Sequence, residues 1–417
     1  MTTETTTTTE VQDTLVTTTE YASPEAALPK LAALRASLRG MLFGASAHEA
    51  VDAVLLSVLS GRHVMIFGPR GSAKTTLVDA LIAHLPTTTY FGTALHPFKK
   101  PDDLIGSIDL PAFQAGQYQL KLGRMANANI SFLDEASRAS DATLESLFDI
   151  LEKKRIENAG EYHYAPLWSC IGAANAPFDP DRLGPLRDRF PIAVTTRYID
   201  DAAVQMALAN AYLNGFQKPS CTLHSDDILA LRSLVTQVVV SDAITTSVLA
   251  VVKKLRAQNI DVSDRRWLNG LDVVRAAAVL DGRTVVRLRD CRVLSMVFWD
   301  FEDDQDTVIE AIASEAYESP FEDIAGEVDL LARTSQLGQQ TVGLPGTLLE
   351  LPGATPRKRW AALRSQAKAG LALVTQATCG TPRDKTQQQE LRIRLETAIQ
   401  VATAHMKELA LAETENE

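Results

Sequence analysis

The stretch Val64-Met65-Ile66-Phe67-Gly68-Pro69-Arg70-Gly71-Ser72-Ala73-Lys74-Thr75-Thr76-Leu77 decides how this chain is read. Four apolar residues enter a glycine-rich turn, and the turn leads into Leu77, Leu81 and Leu85 at helical spacing. The order is strand, loop, helix. A phosphate-binding loop of pattern G-x-x-x-x-G-K-[ST] works because backbone N–H groups at a helix N-terminus face the phosphates. A lysine reaches their outer oxygens, and the hydroxyl beside it holds Mg²⁺. Gly68 and Gly71 sit where the backbone bends most, and Lys74, Thr75 and Thr76 supply cation and hydroxyls. Ala73 stands where the second glycine belongs. Ala73 adds only a methyl group, which is comfortable in the first helical turn expected there; a glycine-rich strand-to-helix turn without a ligand is the competing reading.

Moving outward, Ile130-Ser131-Phe132-Leu133 reads as a buried strand that ends in Asp134-Glu135. An acid at such a strand end can hold Mg²⁺ through its water shell, and its neighbour can polarise an attacking water. The plainer alternative is a strand ending in solvated acids. A further strand, Leu167 to Ala174, ends in Asn175, whose amide suits orienting water beside a γ-phosphate; a polar turn before Pro177 is the alternative. In Leu186-Arg187-Asp188-Arg189-Phe190 an arginine set against a neighbouring subunit's γ-phosphate would stabilise transition-state charge. A surface arginine paired with Asp188 is the competing reading.

The bulk numbers bound what surrounds these segments. At 417 residues two or three folding units are expected, and 46% apolar with 22% charged residues is ordinary for a globular chain. Apolar runs fall short of the roughly 18 to 20 residues that cross a bilayer, and there is no secretory leader pattern. Cys170, Cys221, Cys291 and Cys379 lie far apart without a C-x-x-C or a nearby histidine, which fits a reducing cytoplasm. The seven histidines and four tryptophans form no ligand-like cluster and read as structural. A net charge of −11 argues against a large nucleic-acid footprint, leaving open a basic pore inside an acidic assembly.

The first 24 residues are threonine-rich and read as a disordered tail. A helix is expected after Pro29, with Leu31, Leu34, Leu38 and Leu42 on one face, and a second through Ala50 to Leu59 ending at Gly61. Strand and helix patterns alternate from Val64 to about Ile199, the signature of a parallel sheet covered by helices. The expected divisions are an α/β domain over 25–199, a helical lid over 200–292 and a helical extension over 293–417. Within the lid, Leu268, Leu271, Val274 and Ala278 are expected on one buried face. Residues 319–356 read as loops. Two amphipathic helices follow, one with Trp360, Leu363, Ala367, Leu371 and Val374, the other with Leu391, Leu395, Ala398, Ala402 and Leu409. Their stripes are expected to pack onto the helices after Asp200 and complete a bundle.

In order and spacing, GPRGSAKTTL, FLDEASRA, GAANAPF and LRDRF resemble the AAA+ ATPases, specifically the MoxR family, over roughly residues 30 to 290. In that family an alanine before the lysine is usual. Ser263-Asp264-Arg265-Arg266-Trp267 looks like the sensor-2 segment of the RavA branch. The resemblance implies an α/β P-loop domain followed by an all-α lid and a C-terminal helical bundle. It matches Lys74 and Thr75 to Walker A, Asp134 and Glu135 to Walker B, and Asn175 to sensor 1. Arg189 falls on the arginine finger with Arg187 as the alternative, and Arg265 on sensor 2 with Arg266 as the alternative. Gly106 to Arg124 takes the place of the family's helix-2 insert, and Lys153 to Pro166 that of its hairpin before sensor 1. Also implied are ATP and Mg²⁺, a homo-oligomeric hexameric ring, and a bacterial, cytoplasmic motor. That motor would act on a protein client with a von Willebrand factor A domain partner. A nucleic-acid motor of a defence or repair complex, a chelatase-type motor subunit and a non-hydrolysing scaffold are the alternatives, the last opposed by an intact Glu135 and Arg189.

Overall fold

The computed structural model describes residues 23–117, 120–158, 161–175, 186–316, 328, 356–376 and 382–414. The threonine-rich tail lies outside them up to residue 22, as does the 319–356 segment apart from Val328 and Pro356. The chain forms two compact units. One draws on Met1–Ser241, Leu255–Val286 and Val293–Val308, the other on Asp242–Lys254, Arg287–Arg292 and Ile309–Glu417.

The first unit is built on strands β1 (Val64–Phe67), β2 (Tyr90–Ala94), β3 (Gly106–Ile108), β4 (Leu120–Leu122), β5 (Ile130–Asp134), β6 (Arg155–Asn158), β7 (Glu161–Tyr164), β8 (Ser169–Ala174) and β9 (Ile192–Thr195). Five of them form one sheet in the order β2-β5-β8-β1-β9, with every pairing parallel. Strands buried on both faces lose the polar-apolar alternation. That is why β1 reads VMIF, and why every residue of β8, SCIGAA, is buried. The chain between β5 and β8 and the turn before β9 close a core containing Met65, Leu133, Leu147, Ile150, Leu151 and Phe190. Two antiparallel hairpins stand apart from the sheet, β3 with β4 and β6 with β7. They occupy the stretches Gly106 to Arg124 and Lys153 to Pro166.

Helix α1 (Pro24–Met41) starts before Pro29 instead of after it. Ser23 accepts the Ala26 N–H at 3.3 Å as N-cap, and Pro24 fits the first turn, where its missing N–H has no partner to lose. Pro29 costs one hydrogen bond, and burial of Ala27, Leu31, Leu34 and Leu38 outweighs that loss. Helix α2 (Ala45–Ser60) ends at Gly61 with φ +71, the left-handed residue that commonly closes a helix. Helices α3 (Lys74–Ala83), α4 (Leu110–Gln114) and α5 (Asp141–Lys153) follow. α5 is capped by Ser140, which accepts the Thr143 N–H at 3.3 Å. Helices Ser225–Gln237 and Asp264–Leu280 pack on α1 and α2 within this unit. Leu268, expected on a buried face, is 50% exposed; the buried stripe runs through Arg266, Asn269, Gly270, Val273 and Val274, because the helix is rotated to bring Arg266 inward.

In the second unit, helices Pro356–Gln376 and Pro382–Thr414 form an antiparallel hairpin. Trp360, Leu363, Ala367 and Val374 of one pack with Leu391, Leu395, Ala398 and Ala402 of the other. The sequence expectation seeks cover for these stripes on the helices after Asp200; in this unit each stripe covers the other. Among the described residues no helix is long and apolar enough to cross a membrane.

Candidate nucleotide site

The loop 68–73 leaves the C-terminal end of β1, which lies between β8 and β9. Gly68 has φ +144, and a Cβ there would lie 2.3 Å from Thr196 Oγ1 and 2.4 Å from its carbonyl oxygen. No side chain fits. Ser72 ties the loop to the same strand end, with Oγ 2.8 Å from the Pro69 carbonyl and 2.7 Å from Thr196 Oγ1. Ala73 is not in the first helical turn as the sequence suggested. It is the N-cap of α3, with φ 63 and ψ 18. The left-handed backbone is the conformation that a glycine would adopt freely, and the alanine methyl adds roughly 1 to 2 kcal/mol of strain.

Lys74 begins α3 and is 6% exposed. Its ammonium donates to the carbonyls of Gly68 and Pro69, each at 2.8 Å. Burial lowers its pKa, and the charge of Asp134 opposes that shift. Asp134 ends β5, two strands from β1, and Asn175 follows β8, the strand between them. Parallel order therefore brings all three strand ends to one edge. Glu135 adopts a left-handed backbone, φ 52, which turns its carboxylate out of the strand direction. It pairs with Arg138 through a short contact, accepts from Asn175 Nδ2 at 3.4 Å, and lies 3.8 Å from Arg70. The Arg138 hydrogen bond is the main reason its pKa lies below the usual carboxylate range.

A cavity of about 700 Å³ opens here, lined by the 70–76 segment together with Asp134 and Asn175. Its far wall is apolar, from Met41, Leu42, Phe43, Ile199, Leu208 and Phe216. Sequence reasoning missed this wall, since it joins the α1–α2 junction to residues beyond β9 with no spacing to announce it. Tyr198 also lines it and donates from its hydroxyl to the Arg70 carbonyl at 2.9 Å.

The arginines lie elsewhere. Arg189 precedes β9 and so sits at the N-terminal edge of the sheet, opposite the loop 68–73. Its Nη2 donates to Glu152 Oε2 at 3.1 Å, and its guanidinium lies 4.4 Å from the Phe148 ring centre. Arg265 reaches the other oxygen of the same carboxylate, Oε1, at 3.0 Å. Both arginines line a second cavity of about 350 Å³ with Arg62, Lys154 and Arg232. Arg187 and Arg266 are buried, at 1% and 3% exposure. Arg187 donates to the carbonyls of Phe190 and Trp299 at 2.8 and 2.6 Å, and Arg266 pairs with Asp300 at 2.8 Å. Burial lowers the Arg187 pKa to about 9. Neither of these two lines the two cavities described here.

A five-stranded parallel sheet with a lysine-bearing loop after β1, an acidic strand end two strands away and a helical region beyond the sheet has the architecture of the AAA+ ATPases. The model of the MoxR domain found in MoxR–vWA–β-propeller ternary systems matches residues 31–233, and that of an AAA lid domain matches residues 243–312. The chain belongs to the MoxR family of AAA+ ATPases. Two uncharacterized proteins of Methanocaldococcus jannaschii are 27% and 25% identical over 258 and 261 residues. The matches span 61% of this chain in both cases, and 67% and 68% of theirs. A structural protein of Acidianus two-tailed virus is 27% identical over 133 residues, 31% of this chain and 22% of its own. A crystal structure of a candidate ATPase from Cytophaga hutchinsonii aligns with a TM-score of 0.57 at 18% identity, covering 70% of this chain and 96% of its own. That last likeness concerns the fold.

Proposed function

We propose that this chain hydrolyses ATP at the interfaces of a hexameric ring and uses the cycle to remodel a protein client, together with a partner that carries a von Willebrand factor A domain. The observation that carries the shared-site reading is the placement of Arg189 and of the loop 68–73 at opposite edges of one parallel sheet. Strands of four residues span about 13 Å at 3.3 Å per residue, so Arg189 cannot serve the site of its own subunit. This placement supports a finger supplied by a neighbour.

The loop fits a polyphosphate. Gly68 admits no side chain, Gly71 opens to space, and the Lys74 ammonium already binds oxygens of the loop rim. Lys74 and the amides at the start of α3 hold the β- and γ-phosphates. Thr75 and Asp134 are the residues that would hold Mg²⁺, which when bound neutralises charge on the β and γ oxygens. The apolar wall from Met41 to Phe43, with Ile199 and Phe216, receives the base. Asn175 orients water, and Glu135 takes its proton as the oxygen attacks the γ-phosphorus. The bond from phosphorus to the β–γ bridging oxygen breaks, leaving ADP and inorganic phosphate. Arg189 and Arg265, together at the far edge, stabilise charge on the neighbour's phosphate. The partner assignment is supported by the ternary systems for which the matching MoxR domain model is named.

Mixing subunits tests the shared site. Arg189→Ala should bind ATP normally and hydrolyse it roughly a thousandfold more slowly, the scale of an arginine finger. Adding Lys74→Ala subunits should restore part of the activity, since a mixed interface pairs an intact loop with an intact finger. Absence of recovery in rings shown to be mixed would refute it.

A further inference from the structure

Glu152 is not part of any motif that the sequence displays, yet its carboxylate bonds both arginines of the far edge. Its Oε2 accepts from Arg189 at 3.1 Å and its Oε1 lies 3.0 Å from Arg265. The two guanidiniums arrive from different elements. Arg189 comes from the turn before β9, and Arg265 from the first turn of helix Asp264–Leu280.

Glu152 stands in the last turn of α5, which is anchored by Leu147, Ile150 and Leu151, each no more than 4% exposed. Four residues earlier on the same helix face, Phe148 lies under the Arg189 guanidinium. One rigid helix thus presents a ring face and a carboxylate to the same arginine. Without that carboxylate, two like charges in one pocket already lined by Lys154, Arg62 and Arg232 would repel and splay. With it they are held side by side. A guanidinium has five N–H donors, so one oxygen of Glu152 does not exhaust it for an incoming phosphate.

We propose that Glu152 is a positioning residue for the trans arginines: it locks Arg189 and Arg265 into one two-pronged unit, so that the lid helix and the sheet edge present their cations to the neighbouring subunit together. This rests on the reading of Arg189 as a finger acting in trans. In this role Glu152 acts through the two arginines.

The test is steady-state hydrolysis by the full-length chain carrying Glu152→Gln, which keeps the side-chain volume, and Glu152→Asp. Glu152→Gln should lower kcat about tenfold to a hundredfold, the scale for losing the alignment of a reacting group, with KM for ATP within about twofold. Glu152→Asp should recover part of that loss. In the Arg189→Ala background, adding Glu152→Gln should slow hydrolysis by less than about threefold, because there is then only Arg265 left to position. Wild-type kcat in Glu152→Gln, while Arg189→Ala is slow, would overturn the inference and leave the shared site standing. Losses that simply multiply in the double variant would also overturn it. Normal hydrolysis by Arg189→Ala would instead overturn the trans reading and this inference with it.

Discussion

The ammonium of Lys74 lies 2.8 Å from the carbonyl oxygen of Gly68, six residues back across the turn it closes. The lysine braces the loop, and in the proposed complex the same charge meets phosphate oxygens. Lys74→Ala should therefore lower ATP affinity at least about a hundredfold, which is the loss of roughly two charge-assisted hydrogen bonds. Titration with a fluorescent ATP analogue measures it. Near-normal affinity would remove the loop as a phosphate site.

Glu135 is held by Arg138, Asn175 and Arg70 with its pKa lowered, so it stays ionised through neutral and mildly acidic pH. As a base it should keep working down to the bottom of the ordinary carboxylate range. Glu135→Gln should bind ATP with Mg²⁺ and turn it over at least about a hundredfold more slowly. Arg138→Ala removes the main cause of the lowered pKa, so the acid limb of the kcat profile should move to higher pH. A normal rate in Glu135→Gln would assign the base elsewhere.

Ala73 carries a left-handed backbone. Ala73→Gly relieves that strain but gives the unfolded chain more freedom, so stability should rise by no more than about 1 kcal/mol. ATP binding should persist. Ala73→Val places a β-branched side chain where φ is positive and should destabilise by more than the alanine does. Urea unfolding of the three proteins decides the order; a valine variant as stable as the glycine one would contradict the loop geometry.

His63 is 3% exposed, with Nε2 2.8 Å from the Leu151 carbonyl and Nδ1 accepting the Cys170 N–H at 2.9 Å. Burial, aided by Lys154, Arg62 and Arg232, lowers its pKa to about 3. The unfolded chain takes up a proton below about pH 6.5 and the native histidine does not. The histidine's contribution is therefore complete above pH 6.5 and is lost as pH falls toward 3. The slope is about 1.4 kcal/mol per pH unit. His63→Gln should be less stable at pH 7 but lose less between pH 6.5 and 4.5. Parallel slopes in wild type and variant would exclude His63 as the source.

In the C-terminal hairpin, Leu395 is fully buried and packs beside Gly370. Leu395→Ala should destabilise the hairpin by about 2 to 5 kcal/mol, as large-to-small changes in a core do. Hydrogen exchange should quicken across Pro356–Gln376 and Pro382–Thr414 together, since each helix covers the other's stripe. Protection unchanged in either helix would refute the paired packing.

The strand-loop-helix at Val64 to Leu77 and the acidic strand end at Asp134 were legible because local chemistry produces them. A strand buried on both faces must be apolar throughout, and a loop that wraps phosphate must bend where only glycine bends freely. The parallel-sheet class followed from the alternation of such runs. Residue spacing also indicated that the two C-terminal helices each have a stripe to hide.

Only the tertiary structure decided what each of those stripes faces, and which of two neighbouring arginines, Arg187 or Arg189, is buried. Arg187 and Arg189 differ by two positions in sequence and share every local property, yet one is enclosed by the carbonyls of Phe190 and Trp299 while the other faces a cavity. Likewise, Glu152 meets Arg189 and Arg265 from 37 and 113 residues away. A carboxylate's partners depend on where the backbone returns in space, and that return is set by the packing of the whole core, which no local spacing encodes.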